Sequence, residues 1–131
     1  MAVWETDPSF AEESEVLADF AAAWRDSDKL VYSTTLTHPA TKRTRIVSAF
    51  DADEVRVLKQ ASSTDLLVGG PGLAANALHA GVVDEIRLVL SPAALGAGKP
   101  ALPTDLRLEL ELIDERRFGS GAMHVAYRVR S

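Results

Sequence analysis

A chain of 131 residues suits one domain with one core, and an apolar share of 47% is enough to fill it. A net charge of -5 argues against a general nucleic-acid or membrane-surface binder, because polyanions need a basic face. The lack of cysteine removes disulfides, thiolate metal sites and a cysteine nucleophile, and no apolar run approaches the ~20 residues of a membrane span.

The first residues, Met1 to Asp7, have neither the basic start nor the apolar stretch of a signal peptide, so a cytoplasmic location is expected. Asp7-Pro8 is a helix start signal, with Asp7 as cap and Pro8 in the first turn. Val16, Leu17, Phe20, Ala21 and Trp24 then recur at helical spacing and make one core-facing stripe. Lys29 to Ser33 reads as a strand that ends in Ser33-Thr34-Thr35. A loop through Pro39 to Arg43 leads into a second strand, Thr44 to Ser48. Asp51 with Glu54 forms a capping box for a short helix carrying Val55 and Leu58.

Leu66-Leu67-Val68 predicts a buried strand between Asp65 and Gly69. Leu73 to Ala80 is the following helix, and Gly81 supplies its left-handed stop. Ile86 to Leu90 is another strand, closed by Ser91-Pro92 and followed by the loop Gly96-Ala97-Gly98-Lys99-Pro100. Leu106, Leu108, Leu110 and Leu112 alternate with Arg107, Glu109 and Glu111, the period of a half-exposed strand. Met123, Val125, Tyr127 and Val129 repeat that alternation after Phe118-Gly119-Ser120-Gly121, which predicts an antiparallel hairpin. The expected class is α/β, with parallel units first and a C-terminal hairpin completing a mixed sheet flanked by helices.

The segment Gly69-Gly70-Pro71-Gly72-Leu73 carries the clearest chemistry. A strand runs into glycines and a helix begins at once. The first amides of a helix have no internal partners and sit at the positive end of its dipole. A phosphate there gains hydrogen bonds and favourable charge together, and glycines let the backbone come close. The plain alternative is a tight turn with no ligand. Gly70-x-Gly72-x-x-Ala75 fits a loose dinucleotide fingerprint, but the acidic residue expected ~20 residues on is missing from Leu90-Ser91-Pro92-Ala93.

Ser33-Thr34-Thr35 lies past the carboxyl end of its strand, where α/β sheets place ligands. With Lys42, Arg43 and Arg45 close in sequence it could serve a second phosphate; by itself it reads better as a solvated loop. His38, His79 and His124 follow no metal-ligand spacing, and surface roles are expected for them. Glu109 and Glu111 share one side of their strand as exposed charges.

The order Leu30-Val31-Tyr32-Ser33-Thr34-Thr35-Leu36, Leu66 to Leu73, Val83-Asp84-Glu85-Ile86-Arg87-Leu88, Pro92 to Pro100 and Phe118-Gly119-Ser120-Gly121 resembles the dihydrofolate reductase-like family. The nearest branch is the one sharing the reductase domain of bacterial riboflavin biosynthesis. The resemblance implies a reductase that transfers a hydride from NADPH to a small pterin-like or pyrimidine-like heterocycle. It implies that Ser33, Thr34 and Thr35 hold the 2′-phosphate end of the cofactor. Thr34 stands where relatives often carry arginine, which leaves NADPH against NADH open. Gly69, Gly70, Pro71, Gly72 and Leu73 match the pyrophosphate loop, whose Gly69–Gly70 peptide is often cis in relatives. Ser91, Leu95, Gly96, Gly98 and Lys99 fall on the substrate side.

Relatives usually begin with a strand carrying an Asp-Gly segment, and Met1-Ala2-Val3-Trp4 resembles a point just after that region. Residues 1–131 are therefore expected to form a single domain without the family's N-terminal strands, either truncated or completing its site differently. Unpaired edges then favour a homodimer. No residue stands out as the proton donor that reduction of an imine-like bond requires. A non-catalytic nucleotide-binding module and an oligomerisation module of the same fold remain the competing readings.

Overall fold

The computed structural model describes residues 15–36, 38–39 and 42–130. It divides into two compact units, Met1–Phe50 and Asp51–Ser131. The helix start signal Asp7-Pro8 lies outside the described residues.

In the first unit, helix α1 spans Glu15–Asp26. Of its expected stripe, Ala21 is 1% exposed, Leu17 and Trp24 are half-buried, and Phe20 stays largely exposed. Lys29 closes the helix: its Nζ donates to Trp24 O at 2.6 Å and to Ser27 O at 3.0 Å, and it lies 5.1 Å over the Trp24 ring. A cation suits the last carbonyls of a helix because the dipole is negative there. Strand β1 (Lys29–Tyr32) pairs in parallel with β2 (Thr44–Val47), from Lys29 opposite Thr44 to Tyr32 opposite Val47. Arg43 enters β2 in the left-handed region, at φ 55, and its N-terminal ladder bond runs from Lys29 N–H to Arg43 O at 2.8 Å. The Tyr32 and Phe50 rings pack with centroids 5.9 Å apart.

The second unit opens with helix α2, Ala52–Ala61. The Asp51 carboxylate accepts from the amides of Asp53 at 2.9 Å and Glu54 at 3.4 Å, the cap expected there. Helix α3 spans Pro71–His79 and begins two residues before the expected start, because Pro71 supplies a preset φ at the first helical position. Gly81 ends it at φ 70, as expected. Strands β3 (Glu85–Leu90), β4 (Glu109–Arg117) and β5 (Met123–Arg130) form an antiparallel sheet in the order β3-β5-β4.

Opposite residues of an antiparallel pair share a face. One face of this sheet therefore carries Ile86, Leu88, Val125, Tyr127, Val129, Leu110 and Leu112. The other carries Glu85, Arg87, Arg128, Arg130, Glu109 and Glu111. Glu111 meets Arg128 at 3.5 Å and Arg130 at 3.9 Å, so it is an exposed cross-strand partner rather than half of a carboxylate pair. The buried residues of the unit are Ala77, Leu78, Val82, Ile86 and Ala126.

Three expectations are corrected. Leu66-Leu67-Val68 is not a strand: it forms no ladder with any described strand, and Leu67 is 97% exposed. Apolar content favours burial, but a strand exists only where a neighbour accepts its backbone bonds. The parallel and antiparallel pairings also fall in two separate sheets instead of one continuous sheet. The alternating segment starts as strand only at Glu109 and runs on to Arg117, past a bulge between Leu112 and Asp114. There two residues face one, and the even positions change face.

Candidate functional site

The end of α3 nearest the glycines is electrostatically bare. Gly70 is its cap residue, at φ 91 and ψ 127, and no side chain caps the helix or places an acid in its first turn. The first helical bond is Ala74 N–H to Gly70 O at 2.9 Å. The amides of Gly72 and Leu73 precede that bond, and Pro71 has none, so two donors face outward at the positive end of the dipole. A Cβ built on Gly69, Gly70 or Gly72 meets nothing within 4 Å, so packing within the described residues does not require glycine at these places. Backbone geometry requires it only at Gly70. Gly69 and Gly72 thus leave open space in front of the helix. No described peptide bond is cis, so the expected cis Gly69–Gly70 bond is absent; the positive φ of Gly70 turns the chain instead.

The opposite end of α3 is closely held. Arg56 Nη2 donates to Ala80 O at 2.9 Å, and Lys59 Nζ donates to Val82 O at 2.8 Å. His79 Nε2 lies 3.1 Å from Asp105 Oδ1. Cations therefore sit at the negative end of the dipole while the positive end carries no counter-charge. Helix α2 has the contrary pattern, with Asp51, Asp53 and Glu54 filling its start.

Ser33, Thr34 and Thr35 belong to the first unit. The Ser33 hydroxyl accepts from the amides of Thr35 at 3.3 Å and Leu36 at 3.1 Å and touches Thr35 Oγ1 at 3.3 Å. It shapes its own loop, as serine does in turns, and Thr34 and Thr35 are exposed beside it. Arg43 is engaged with Asp28, Nε to Oδ1 at 2.8 Å. The guanidinium, by hydrogen bond and then by charge, holds the Asp28 carboxyl below its ordinary value.

Ser91, Leu95, Gly96, Gly98 and Lys99 all lie on the exposed stretch 91–101 of a segment, residues 91–108, that has neither helix nor strand. Gly96 and Gly98 take φ 75 and 141, conformations that other residues rarely adopt. Pro92 lies near the β4–β5 turn, 3.5 Å from where a Cβ of Gly121 would sit. Among the described residues no group of three or more His, Asp or Glu side chains is arranged to hold a metal ion. No helix among them is long and apolar enough to cross a membrane.

These local features invite comparison with known folds. The chain superposes on a "Putative riboflavin biosynthesis protein" from Shewanella sp. PV-4 with a TM-score of 0.69, over 95% of this chain and 79% of that one, at 16% identity. The two chains therefore share a mixed α/β fold. Residues 12–123 match the family model of the RibD C-terminal domain, and the chain belongs to that family of riboflavin-pathway reductase domains. It is also 36% identical over 77 residues to the "Uncharacterized protein YyaP" of Bacillus subtilis (strain 168). That alignment takes in 57% of this chain and 41% of that protein.

The contacts hardest to foresee join distant parts of the sequence. Arg56 and Lys59 reach residues 24 and 23 positions away, and His79 reaches one 26 positions away. No local pattern announces such pairs.

Proposed function

We propose that this protein binds NADPH and reduces a small heterocycle, pterin-like or pyrimidine-like, of the kind found in riboflavin biosynthesis. The observation that carries the reading is the bare, glycine-fronted start of α3 in a chain of the RibD C-terminal domain family. The amides of Gly72 and Leu73 would hold the pyrophosphate, with Gly69 and Gly72 leaving room for it. Thr34 and Thr35, on the loop that Ser33 shapes, would meet the 2′-phosphate end. Ser91, Leu95, Gly96, Gly98 and Lys99 would line the substrate side. When bound, the nicotinamide supplies the hydride, and the protein's part is to position it and keep water away.

The test is direct. Titrate the full chain with NADPH by fluorescence, then follow NADPH oxidation with candidate pterins and pyrimidines. Saturable binding with turnover supports a reductase; binding with none of the substrates turned over leaves a nucleotide-binding module. The exposed Leu66-Leu67-Val68 run favours association with a second copy in a cytoplasmic homodimer, because exposed apolar side chains gain ~1.5–3 kcal/mol each on burial. Sedimentation showing a monomer at all concentrations would remove that part of the reading.

A further inference from the structure

We infer that Arg56 and Lys59 of α2 are positioning residues that set the direction in which the start of α3 points. The inference rests on the reading above for what lies in front of that start, but not for how the helix is aimed. The two residues are three apart, so they share one face of α2. Each bonds on its own side of Gly81, where α3 stops. Arg56 Nη2 donates to Ala80 O at 2.9 Å, while its Nη1 meets Asp53 Oδ1 at 2.8 Å. Lys59 Nζ donates to Val82 O at 2.8 Å and meets Asp84 Oδ2 at 2.6 Å.

The stretch they grip is itself tied to both neighbours. Gly81 N–H donates to Leu78 O at 3.1 Å and Val82 N–H to Ala77 O at 3.2 Å, which joins it to the last turn of α3. Asp84 O accepts from Val129 N–H at 2.9 Å, which joins it to β5. Val82 is 7% exposed, so its backbone sits at the core rather than on a free loop. Surface ion pairs by themselves contribute little. Here the same two cations also take backbone carbonyls on either side of the helix stop, and the charge suits the negative end of the dipole. Helix α2, the end of α3 and the sheet meet at this one stretch.

The other end of α3 has no such hold. Ala77 and Leu78, in its second half, are its buried residues, while Pro71 and Gly72 are exposed. The helix is thus fixed at its end and projects its start. From Pro71 to His79 it runs about 12 Å, so a tilt of about 10° at the fixed end moves the start by about 2 Å. A binding group must be held within about 0.5 Å of its productive place. The aim of the Gly72 and Leu73 amides is therefore decided at the far end of the helix, by side chains that a ligand at the glycine turn does not reach.

The experiment compares the full chain with Arg56→Met, Lys59→Met and Lys59→Arg. Methionine keeps an apolar stem and removes the donors; arginine keeps a cation with donors. Residual dipolar couplings of the backbone amides, without cofactor, read the direction of α3 against the β3-β5-β4 sheet. NADPH titration reads affinity. In the methionine variants the sheet couplings should stay as they are while those of α3 change. NADPH should bind about tenfold more weakly, the loss of roughly one hydrogen bond to a charged group. Lys59→Arg should restore both readouts. Unchanged α3 couplings in both methionine variants would overturn the inference. So would a changed direction with full NADPH affinity, or sheet couplings that change along with those of α3, which would mark a merely structural role. A chain that binds no NADPH at all defeats the reading above, and the couplings still decide how α3 is aimed.

Discussion

Replacing Gly72 by valine separates binding from folding at the glycine turn. A Cβ at Gly72 meets no atom within 4 Å, and its φ lies outside the left-handed region. Valine is no worse a helix residue than glycine, so the stability change should stay within about 0.5 kcal/mol. A ligand pressed against the Gly72 and Leu73 amides would instead meet a branched side chain. Losing one hydrogen bond to a charged group costs about 1.5–3 kcal/mol, which corresponds to roughly ten- to a hundredfold weaker NADPH binding. Gly70→Ala is the contrasting change. Gly70 sits at φ 91, where an L side chain is strained by about 1–3 kcal/mol, so it should lower the denaturation midpoint. The assay is paired: urea denaturation for stability and fluorescence titration for affinity, on all three proteins. Unchanged NADPH affinity in a folded Gly72→Val protein would refute the assignment of the pyrophosphate to this turn.

Further outcomes follow from the other elements. Asp51→Ala should destabilise the second unit by about 1 kcal/mol in denaturant unfolding, since it removes the acceptor for the Asp53 and Glu54 amides. Asp28 should titrate below the ordinary 3.8 in carboxylate NMR, and Arg43→Ala should return it upward. Because the folded-state value is lowered, the pair's contribution is present above the ordinary value and disappears as pH falls through the lowered one. If Thr34 and Thr35 meet a 2′-phosphate, NADPH binds more tightly than NADH and the gap narrows with salt. Equal affinities at low salt would return that loop to a merely structural role.

Local signals in the sequence were reliable where the structure itself is local. The Asp51 cap, the Gly81 stop and the β4–β5 hairpin each depend on a few adjacent residues, and each was legible. The run Leu66-Leu67-Val68 was not, because a short apolar run looks the same whether or not a neighbour pairs with it. The extension of β4 through Asp114-Glu115-Arg116-Arg117 was hidden for a different reason. Four consecutive charged residues carry no apolar alternation, yet their backbone pairs with β5 up to Met123. At the candidate site, the glycine turn announced itself by composition. The engagement of the Ser33 hydroxyl within its own loop, and of Arg43 with Asp28, depended on geometry that residue types alone do not carry.

The uncapped start of α3 has a kinetic consequence. The whole chain carries a net charge of -5, so an approaching anion is repelled at long range and attracted only within the reach of the helix end. Added salt screens the distant repulsion before it weakens the close contact. Association of an anion with this turn should therefore accelerate as ionic strength rises from very low values, the reverse of ordinary electrostatic steering, while its dwell time shortens.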